Sequence, residues 1–157
     1  MNRIGIFVDV QNIYYTTRQV YGRQFNYRKL WETVSSEGEI VLAKAYAIHS
    51  GDEKQLKFQN ALKYIGFNVR LKPYIQRRDG SAKGDWDVGI TIDVLDSVSG
   101  LDTLILLSGD GDFDLLLERV KNKSNVTVEV YGVKELTSNS LIQSASFFHP
   151  IEDSLLL

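Results

Sequence analysis

The chain has 157 residues, of which 43% are hydrophobic and 24% are charged, and this composition predicts one soluble globular domain with a substantial core. It contains no cysteine, which excludes disulfides, thiolate zinc sites and cysteine nucleophiles. The net charge of -2 excludes a general basic surface for nucleic acid, so any contact with DNA or RNA must be local. No stretch approaches the ~20 apolar residues of a membrane helix. The apolar run over 4–8 is too short for a signal peptide, so we expect a cytoplasmic protein with no membrane partner.

Apolar runs typical of buried strands alternate with helical patterns in the first half of the chain. The elements predicted there are strands over 4–9, 40–48 and 67–75, helices over 11–20 and 27–35, and a third helix that ends at Gly66. Ser50 and Glu53 have the spacing of a capping box, which predicts Ser50 as the N-cap of the third helix. The strand over 67–75 alternates more than the others, so we expect it near an edge of the sheet.

The second half continues the alternation after a polar loop over 76–84. The elements predicted there are a helix capped by Asp85, strands over 103–107, 126–131 and 147–151, and helices over 112–121 and 136–145. The helix after Asp85 has two apolar stripes, which predicts burial on more than one side. These stripes consist of Val88, Ile92 and Leu95 and of Ile90 and Val94. The tail over 152–157 is predicted to be loose.

Strands separated by helices predict an α/β fold, in which helices flank a central, mainly parallel sheet with right-handed crossovers. There is no repeat, low-complexity tract or linker, and neither proline marks a boundary. We therefore predict a single domain over 1–157, with its core at about 4–148.

Acidic residues follow two of the strongest strand patterns. Asp9 closes the first strand, and Asp110 and Asp112 follow the strand over 103–107. In an open parallel sheet, ligands bind beyond the carboxyl ends of the strands, near the switch point. If these two strands are neighbours, their acids share one cleft. Asp87, in the first turn of a helix that starts at the same edge, can point at them.

Such a cluster favours a bound divalent cation, because carboxylates that share a cleft repel one another without one. Ligand sets made only of oxygen suit Mg²⁺ or Mn²⁺ rather than zinc. One or two such ions could orient a water, lower its pKa and stabilise a phosphodiester during displacement.

Three motifs in the chain resemble, in order and spacing, those of the NYN family of PIN-like nucleases, and its LabA-like bacterial branch in particular. They are Phe7-Val8-Asp9-Val10-Gln11-Asn12, then Lys83-Gly84-Asp85-Trp86-Asp87-Val88 with Asp93 following, and Leu107-Ser108-Gly109-Asp110-Gly111-Asp112-Phe113. A later segment, Thr137-Ser138-Asn139-Ser140-Leu141, resembles the Ser/Thr-rich helix start of that family. The resemblance covers about 4–148.

The resemblance implies a three-layer, PIN-like (Rossmann-like) fold and metal-dependent hydrolysis of RNA. It implies catalytic and metal-binding roles for Asp9, Asp87, Asp110 and Asp112, with supporting roles for Asn12 and Ser108. Asp93 lies six residues after Asp87, about 240° around a helix, so it is predicted to stand in the core or behind the metal ligands. The additional acid Asp85 leaves open whether Asp85 or Asp87 is the ligand.

Some of these acids have structural explanations as well. Asp85 and Asp112 precede helices, where Asp is a preferred N-cap. Asp87, in a first turn, interacts favourably with the helix dipole. Asp9 and Asp110 are harder to explain structurally, and we interpret them as functional.

Other residues with chemistry to offer carry weaker signals. His49 and His149 have no second His or Cys at metal-ligand spacing, so we interpret them as surface or packing residues. Tyr14 and Tyr15, followed by Arg18, fit either stacking on bases or one face of an amphipathic helix.

The segment that leads to Asp87 is locally basic. It contains Lys72, Arg77, Arg78 and Lys83. It is either a solvated loop or a clamp on a phosphate backbone, and a clamp fits because the segment borders the predicted cleft. The predicted partner is therefore RNA, or single-stranded nucleic acid generally.

Two alternatives to a metal-dependent ribonuclease remain. The first is a catalytically silent module of the same fold that binds nucleic acid or a partner protein in a regulatory role. The second is a haloacid-dehalogenase-type phosphatase, because Gly109-Asp110-Gly111 followed by acids looks like the last motif of that family. Its nucleophile motif, Asp-x-Asp, would need an acid where Gln11 stands.

Overall fold

The structure is a computed structural model that describes residues 1–49, 51–73, 75–76, 82–83 and 85–157. Its strands are β1 (Arg3–Asp9), β2 (Glu39–His49), β3 (Asn68–Pro73), β4 (Ile75–Gln76), β5 (Ala82–Lys83), β6 (Thr103–Leu107), β7 (Thr127–Gly132) and β8 (Phe147–Pro150). Its α-helices are α1 (Val10–Tyr21), α2 (Tyr27–Ser35), α3 (Glu53–Ile65), α4 (Asp87–Ser97), α5 (Asp114–Ser124) and α6 (Asn139–Ser144). Within the described ranges, no helix combines the length and apolarity needed to cross a membrane.

β1 lies inside a six-stranded sheet of order β3-β2-β1-β6-β7-β8, in which every neighbouring pair is parallel. The predicted α/β fold with a flanked parallel sheet is confirmed, and β3 lies at the predicted edge. The chain builds the sheet outward from β1 through β2 and β3, and then outward from β6 through β7 and β8. The switch point therefore falls between β1 and β6, where an open sheet is expected to bind its ligand.

Two apolar layers cover the two faces of the sheet. Because successive side chains of a strand point to opposite faces, Ile6 and Val8 of β1 belong to one layer and Phe7 to the other. α1 packs Ile13 into the first layer, and α4 packs Ile90 into the second. Burial on both faces explains why β1 is apolar from Ile4 to Val8. It also means that α1 and α4 reach the carboxyl end of β1 from opposite sides.

The starts of α3 and α4 differ from the predictions by a few residues. The N-cap of α3 is Asp52, whose carboxylate accepts the Gln55 N–H at 2.8 Å. The predicted cap, Ser50, lies outside the described residues. The N-cap of α4 is Trp86 rather than Asp85, and its indole N–H donates to the Ala47 carbonyl at 2.8 Å. The start of α4 is thus fixed by an aromatic side chain that is bonded to β2.

The prediction that α4 is buried on more than one side is wrong. Ile90 and Val94 are fully buried, whereas Val88, Ile92 and Leu95 are 70%, 54% and 46% exposed. α4 lies in an outer layer of the fold, so only one of its two apolar stripes can face the sheet.

The prediction of a loose tail over 152–157 is also wrong. Leu156 is 5% exposed within the first apolar layer. The Leu157 N–H donates to the Gln24 carbonyl at 2.8 Å, and the Asn26 N–H donates to the Leu155 carbonyl at 2.7 Å. The tail therefore completes the core beside the connection between α1 and α2, a contact between distant segments that no local pattern encodes.

Candidate metal centre

Asp9 is the last residue of β1 and lies beside the residue that follows β6. Val8 pairs with Leu107 in the parallel register, so Asp9 and Ser108 meet at the carboxyl edge of the sheet. The Ser108 hydroxyl donates to Asp9 Oδ2 at 3.0 Å, and Ser108 is fully buried. The apolar pairing of two strands thus places the Asp9 carboxylate and gives it a fixed hydrogen-bond donor.

The loop after β6 is held to α1 and to itself. Asn12 Oδ1 accepts the Gly109 N–H at 2.8 Å, and the Asp110 N–H donates to Ser108 Oγ at 3.1 Å. Asp110 caps the 3-10 turn Gly111–Phe113, and its Oδ1 accepts the Asp112 N–H at 2.9 Å. Asp110 therefore caps this turn, whereas the sequence suggested Asp112 as the cap.

The glycines of this loop allow the Ser/Thr-rich segment near α6 to pack directly on it. A Cβ atom at Gly111 would lie 2.7 Å from Ser138 Oγ, and one at Gly109 would lie 2.7 Å from the Leu136 carbonyl oxygen. The Ser138 N–H donates to the Gly109 carbonyl at 3.1 Å. The contact at Gly109 is with backbone, which only glycine permits there, and it holds the loop that carries Asp110.

The carboxylates of Asp9, Asp87 and Asp110 converge. Each offers one oxygen, and these oxygens all lie within 4.8 Å of one another. In the part of the chain that the structure describes, no other group of three acids or histidines converges in this way. Asp87 reaches the group as the first residue of α4. We call Asp9, Asp87 and Asp110 the acidic triad.

Two other acids of the motifs stand next to the acidic triad without joining it. The acidic triad lines a cleft at the carboxyl end of β1, and Asp85 lines this cleft as well. Asp85 Oδ1 lies 3.4 Å from the Asp87 backbone nitrogen. Asp112 is exposed on the 3-10 turn that Asp110 caps. Between the two candidates that the sequence left open, the structure brings Asp87 and not Asp85 into the group.

Burial and the nearby negative charges make two acids of the triad, Asp9 and Asp87, hard to ionise. Burial raises the pKa of Asp9 from 3.8 to about 6, although its hydrogen bond from Ser108 acts in the opposite direction. The pKa of Asp87 is raised to about 7, first by burial and then by its hydrogen bond to Asp110 and the negative charges of Asp110, Asp9 and Asp85. Both shifts have the sign expected of carboxyl groups gathered without a counter-charge.

The basic residues predicted beside the cleft are described only in part. Lys72 Nζ donates to the Asp85 carbonyl at 3.2 Å and lies 4.8 Å from the centroid of the Trp86 ring. Arg77 and Arg78 lie outside the described residues, as does the side chain of Lys83.

Arg70 is a basic neighbour that the sequence reasoning missed. Its guanidinium carbon lies 5.8 Å from the Trp86 ring centroid. Arg70 and Lys72 are two residues apart on β3, and that spacing puts both on one face of the strand. The same spacing is the signal from which Arg70 could have been found.

Asp93 lies outside the acidic triad and links α4 to the sheet through a hydrogen bond and two ion pairs. Its Oδ2 accepts the Tyr46 hydroxyl at 2.7 Å and pairs with Arg70 Nη1 at 2.9 Å and Lys44 Nζ at 3.6 Å. Its neighbourhood is therefore a network of ion pairs on β2 and β3.

Of Tyr15, His49 and His149, only Tyr15 lies at the cleft among the described residues. Tyr15 lines the cleft and is 58% exposed. His149 Nε2 lies 2.6 Å from Glu129 Oε1, and its ring stacks on Tyr131. His49 is exposed at the end of β2. Among the described contacts, neither histidine meets the acidic triad.

Acids gathered at the switch point of a parallel α/β sheet are the arrangement that the resemblance to PIN-like nucleases predicted. The NYN domain family matches residues 3–152, so the chain belongs to that family of PIN-like nuclease domains, and the family predicted from the three motifs is confirmed. PIN-like nuclease domains use divalent metals. Membership of the NYN family leaves the phosphatase alternative without support.

Two known proteins are similar to the chain over most of its length. The low amplitude and bright protein LabA of Synechococcus elongatus is 31% identical over 137 residues, which are 81% of this chain and 73% of that protein. A crystal structure of a protein of unknown function from Vibrio parahaemolyticus is 54% identical, with a TM-score of 0.95, and the match covers 99% of this chain and 96% of that one. The second similarity confirms the fold.

Proposed function

We propose that this domain is a metal-dependent endoribonuclease that hydrolyses RNA phosphodiester bonds. The observation that carries the proposal is the convergence of Asp9, Asp87 and Asp110 within 4.8 Å at the switch point of the sheet. Membership of a nuclease family supports the same reaction. We propose Asp112, which the sequence motif includes, as a fourth acid of the site.

The donor set of the acidic triad fits Mg²⁺ or Mn²⁺. All its ligand atoms are carboxylate oxygens, which these hard cations prefer. Among the described residues, no lysine or arginine forms an ion pair with Asp9, Asp87 or Asp110. The raised pKa values of Asp9 and Asp87 support the same conclusion, because a nearby cation would favour the ionised forms that burial disfavours.

The chain's own residues orient the site. The Ser108 hydroxyl donates to Asp9 Oδ2 and accepts the Asp110 N–H, so one buried side chain holds two ligands in register. Asn12 fixes the loop that carries Asp110 by accepting the Gly109 N–H. A bound Mg²⁺ or Mn²⁺ ion would stabilise the negative charge of the phosphodiester during displacement and help a water molecule to ionise. The supporting roles proposed for Asn12 and Ser108 are therefore those of orienting residues.

We also propose that the basic segment holds the phosphate backbone. Lys72 lies at the Asp85 side of the cleft, and Arg70 shares its face of β3. Arg77, Arg78 and Lys83 belong to the same proposal on their sequence alone. A local group of cations would offset the repulsion between the acids and an RNA strand, because phosphate contacts dominate affinity.

A nuclease assay tests this function. Labelled single-stranded RNA is incubated with the wild type, Asp110→Asn and Asp96→Asn in Mg²⁺, in Mn²⁺ or in EDTA. Asp96 is an exposed acid of α4 outside the cleft lining, so Asp96→Asn is a matched control. We expect cleavage by the wild type and the control only with metal, and its loss in Asp110→Asn. RNA that is bound but left intact by the wild type under all conditions would instead identify a catalytically silent module.

A further inference from the structure

Tyr15 presents a largely exposed aromatic ring to the acidic cleft. It follows Asn12 by three residues on α1, a spacing that puts both side chains on the same face of the helix. Asn12 accepts a hydrogen bond from the loop that carries Asp110, so this face of α1 lies next to the acidic triad. The lining of the cleft accordingly includes Tyr15 together with Asp9, Asn12, Asp87 and Asp110.

Tyr15 packs against Tyr14, and Tyr14 in turn contacts Arg18. The ring of Tyr14 meets that of Tyr15 edge to face, with centroids 5.4 Å apart and an interplanar angle of 78°. Arg18 donates to the Tyr14 hydroxyl, and its guanidinium carbon lies 5.6 Å from the centroid of the Tyr14 ring. Of these three residues, only Tyr15 lines the cleft among the described residues.

The packing of α1 does not require an aromatic residue at position 15. The buried face of this helix consists of Val10, Ile13, Thr16 and Thr17. Tyr15 is 58% exposed and belongs to neither apolar layer of the fold. The amphipathic pattern of α1 explains why Ile13 is apolar, because Ile13 is buried against the sheet. It does not explain why an exposed position at the cleft carries the aromatic ring of Tyr15.

We propose that Tyr15 is a substrate-binding residue, whose ring stacks on an unpaired base beside the phosphate that is cleaved. This inference rests on the proposed function, which puts the phosphate at the acidic triad. In a duplex the faces of a base are covered by its stacked neighbours, and uncovering one costs a few kcal/mol. An unpaired base offers its face directly, and stacking on an aromatic ring is tolerant of sequence.

The lining of the cleft includes no lysine or arginine among the described residues, and Arg18 of α1 contacts Tyr14 outside this lining, so we assign the attraction on the α1 side to stacking on Tyr15. α1 and α4 flank the carboxyl end of β1 from opposite faces of the sheet, and Lys72 lies on the α4 side. On the α1 side, the ring of Tyr15 stands next to the acids, which repel phosphate. Stacking needs no counter-charge, so Tyr15 contributes affinity with little dependence on salt, unlike the phosphate contacts.

Binding measured without cleavage tests the proposal. Asp110→Asn serves as the background, and fluorescence anisotropy follows a labelled single-stranded oligoribonucleotide and the same strand annealed to its complement. We expect Tyr15→Ala to weaken single-strand binding by about 5- to 150-fold, from a stacking energy of about 1–3 kcal/mol per base. The loss should persist at high salt. Tyr15→Phe should retain binding because it retains the ring, and Tyr64→Ala, at an 84% exposed position of α3, is the matched control.

A second measurement changes the RNA instead of Tyr15, in the same Asp110→Asn background. A single abasic site is moved along the strand. We expect one position at which its loss of affinity matches that of Tyr15→Ala, and no further loss when both changes are combined. Unchanged single-strand binding in Tyr15→Ala, or an equal loss on the duplex, would overturn the proposal. A protein that shows the expected binding but never cleaves RNA would refute the nuclease function while leaving the role of Tyr15 intact.

Discussion

Replacing Asp9 by Asn in the metal-free protein should change how stability depends on pH. Asp9 is 8% exposed, and burial raises its pKa from 3.8 to about 6. The folded state therefore holds this proton more tightly than the unfolded state does. The stability that Asp9 contributes is fully present below pH 3.8 and is lost as the pH rises through about 6. The two pKa values differ by an amount that corresponds to about 3 kcal/mol.

Urea denaturation in EDTA at pH 4 and pH 8 measures this effect. Asn at position 9 keeps an oxygen that can accept the Ser108 hydroxyl, but it has no charge to bury. Between pH 4 and pH 8, we expect the stability of Asp9→Asn to rise relative to that of the wild type by about 2.4 kcal/mol, because at pH 4 the unfolded state is already partly ionised. This corresponds to about 5–10 °C in Tm for a chain of this size. Asp96→Asn, at an exposed position, should show no such gain. A stability difference between Asp9→Asn and the wild type that stays constant with pH would refute the assignment of a strained, buried carboxylate.

Divalent metal should reverse the effect in the wild type. At pH 8, we expect Mg²⁺ or Mn²⁺ to bind the folded state and to stabilise it by about 2.7 kcal/mol at a concentration of 100 times Kd. Asp9→Asn and Asp110→Asn each lack one proposed ligand, and we expect both to gain much less. If millimolar metal leaves the wild-type melting temperature unchanged, the proposed metal site does not exist.

Three further predictions concern neighbouring residues. Asp87→Asn should abolish metal-dependent RNA cleavage with the fold intact, whereas Asp85→Asn should have a mild effect, and kinetics with circular dichroism of both variants check this. Replacing Arg77 and Arg78 by Ala should weaken RNA binding alike for all sequences and lower its salt dependence, measured by anisotropy over a range of salt concentrations. Asp112→Asn should slow metal-dependent cleavage but change the free energy of unfolding by less than about 0.5 kcal/mol, since the side chain is exposed.

Each of these predictions has an outcome that contradicts it. A larger loss in Asp85→Asn than in Asp87→Asn would mean that the wrong acid at the start of α4 has been assigned to the metal. Unchanged affinity and salt dependence in the double arginine variant would leave the basic segment as a solvated loop. A stability loss in Asp112→Asn without any effect of metal would return Asp112 to a structural role.

The sequence alone predicted the family and the strands and α-helices around the main sheet, but not the β4–β5 pair, which falls almost entirely in the segment predicted as a loop. β1 and β6 were found because strands buried on both faces are apolar throughout, and that pattern is local. Asp9 and Asp110 could be named as partners because each follows such a strand, and parallel strands end at the same edge. The three motifs gave the family because they preserve residue identity and spacing, which need no knowledge of the packing.

Only the tertiary structure decided which side chains meet. The adjacency of β1 and β6, the anchoring of Trp86 on β2 and the docking of Leu156 all join segments far apart in the chain. The exposure of Val88 depends on which face of α4 meets the sheet, and helical periodicity is the same for both of its apolar stripes. Asp87, rather than its neighbour Asp85, joins Asp9 and Asp110 because Trp86 sets where α4 begins. Local pattern therefore determined which residues belong to strands, helices and motifs, whereas long-range packing determined which of those residues form the site.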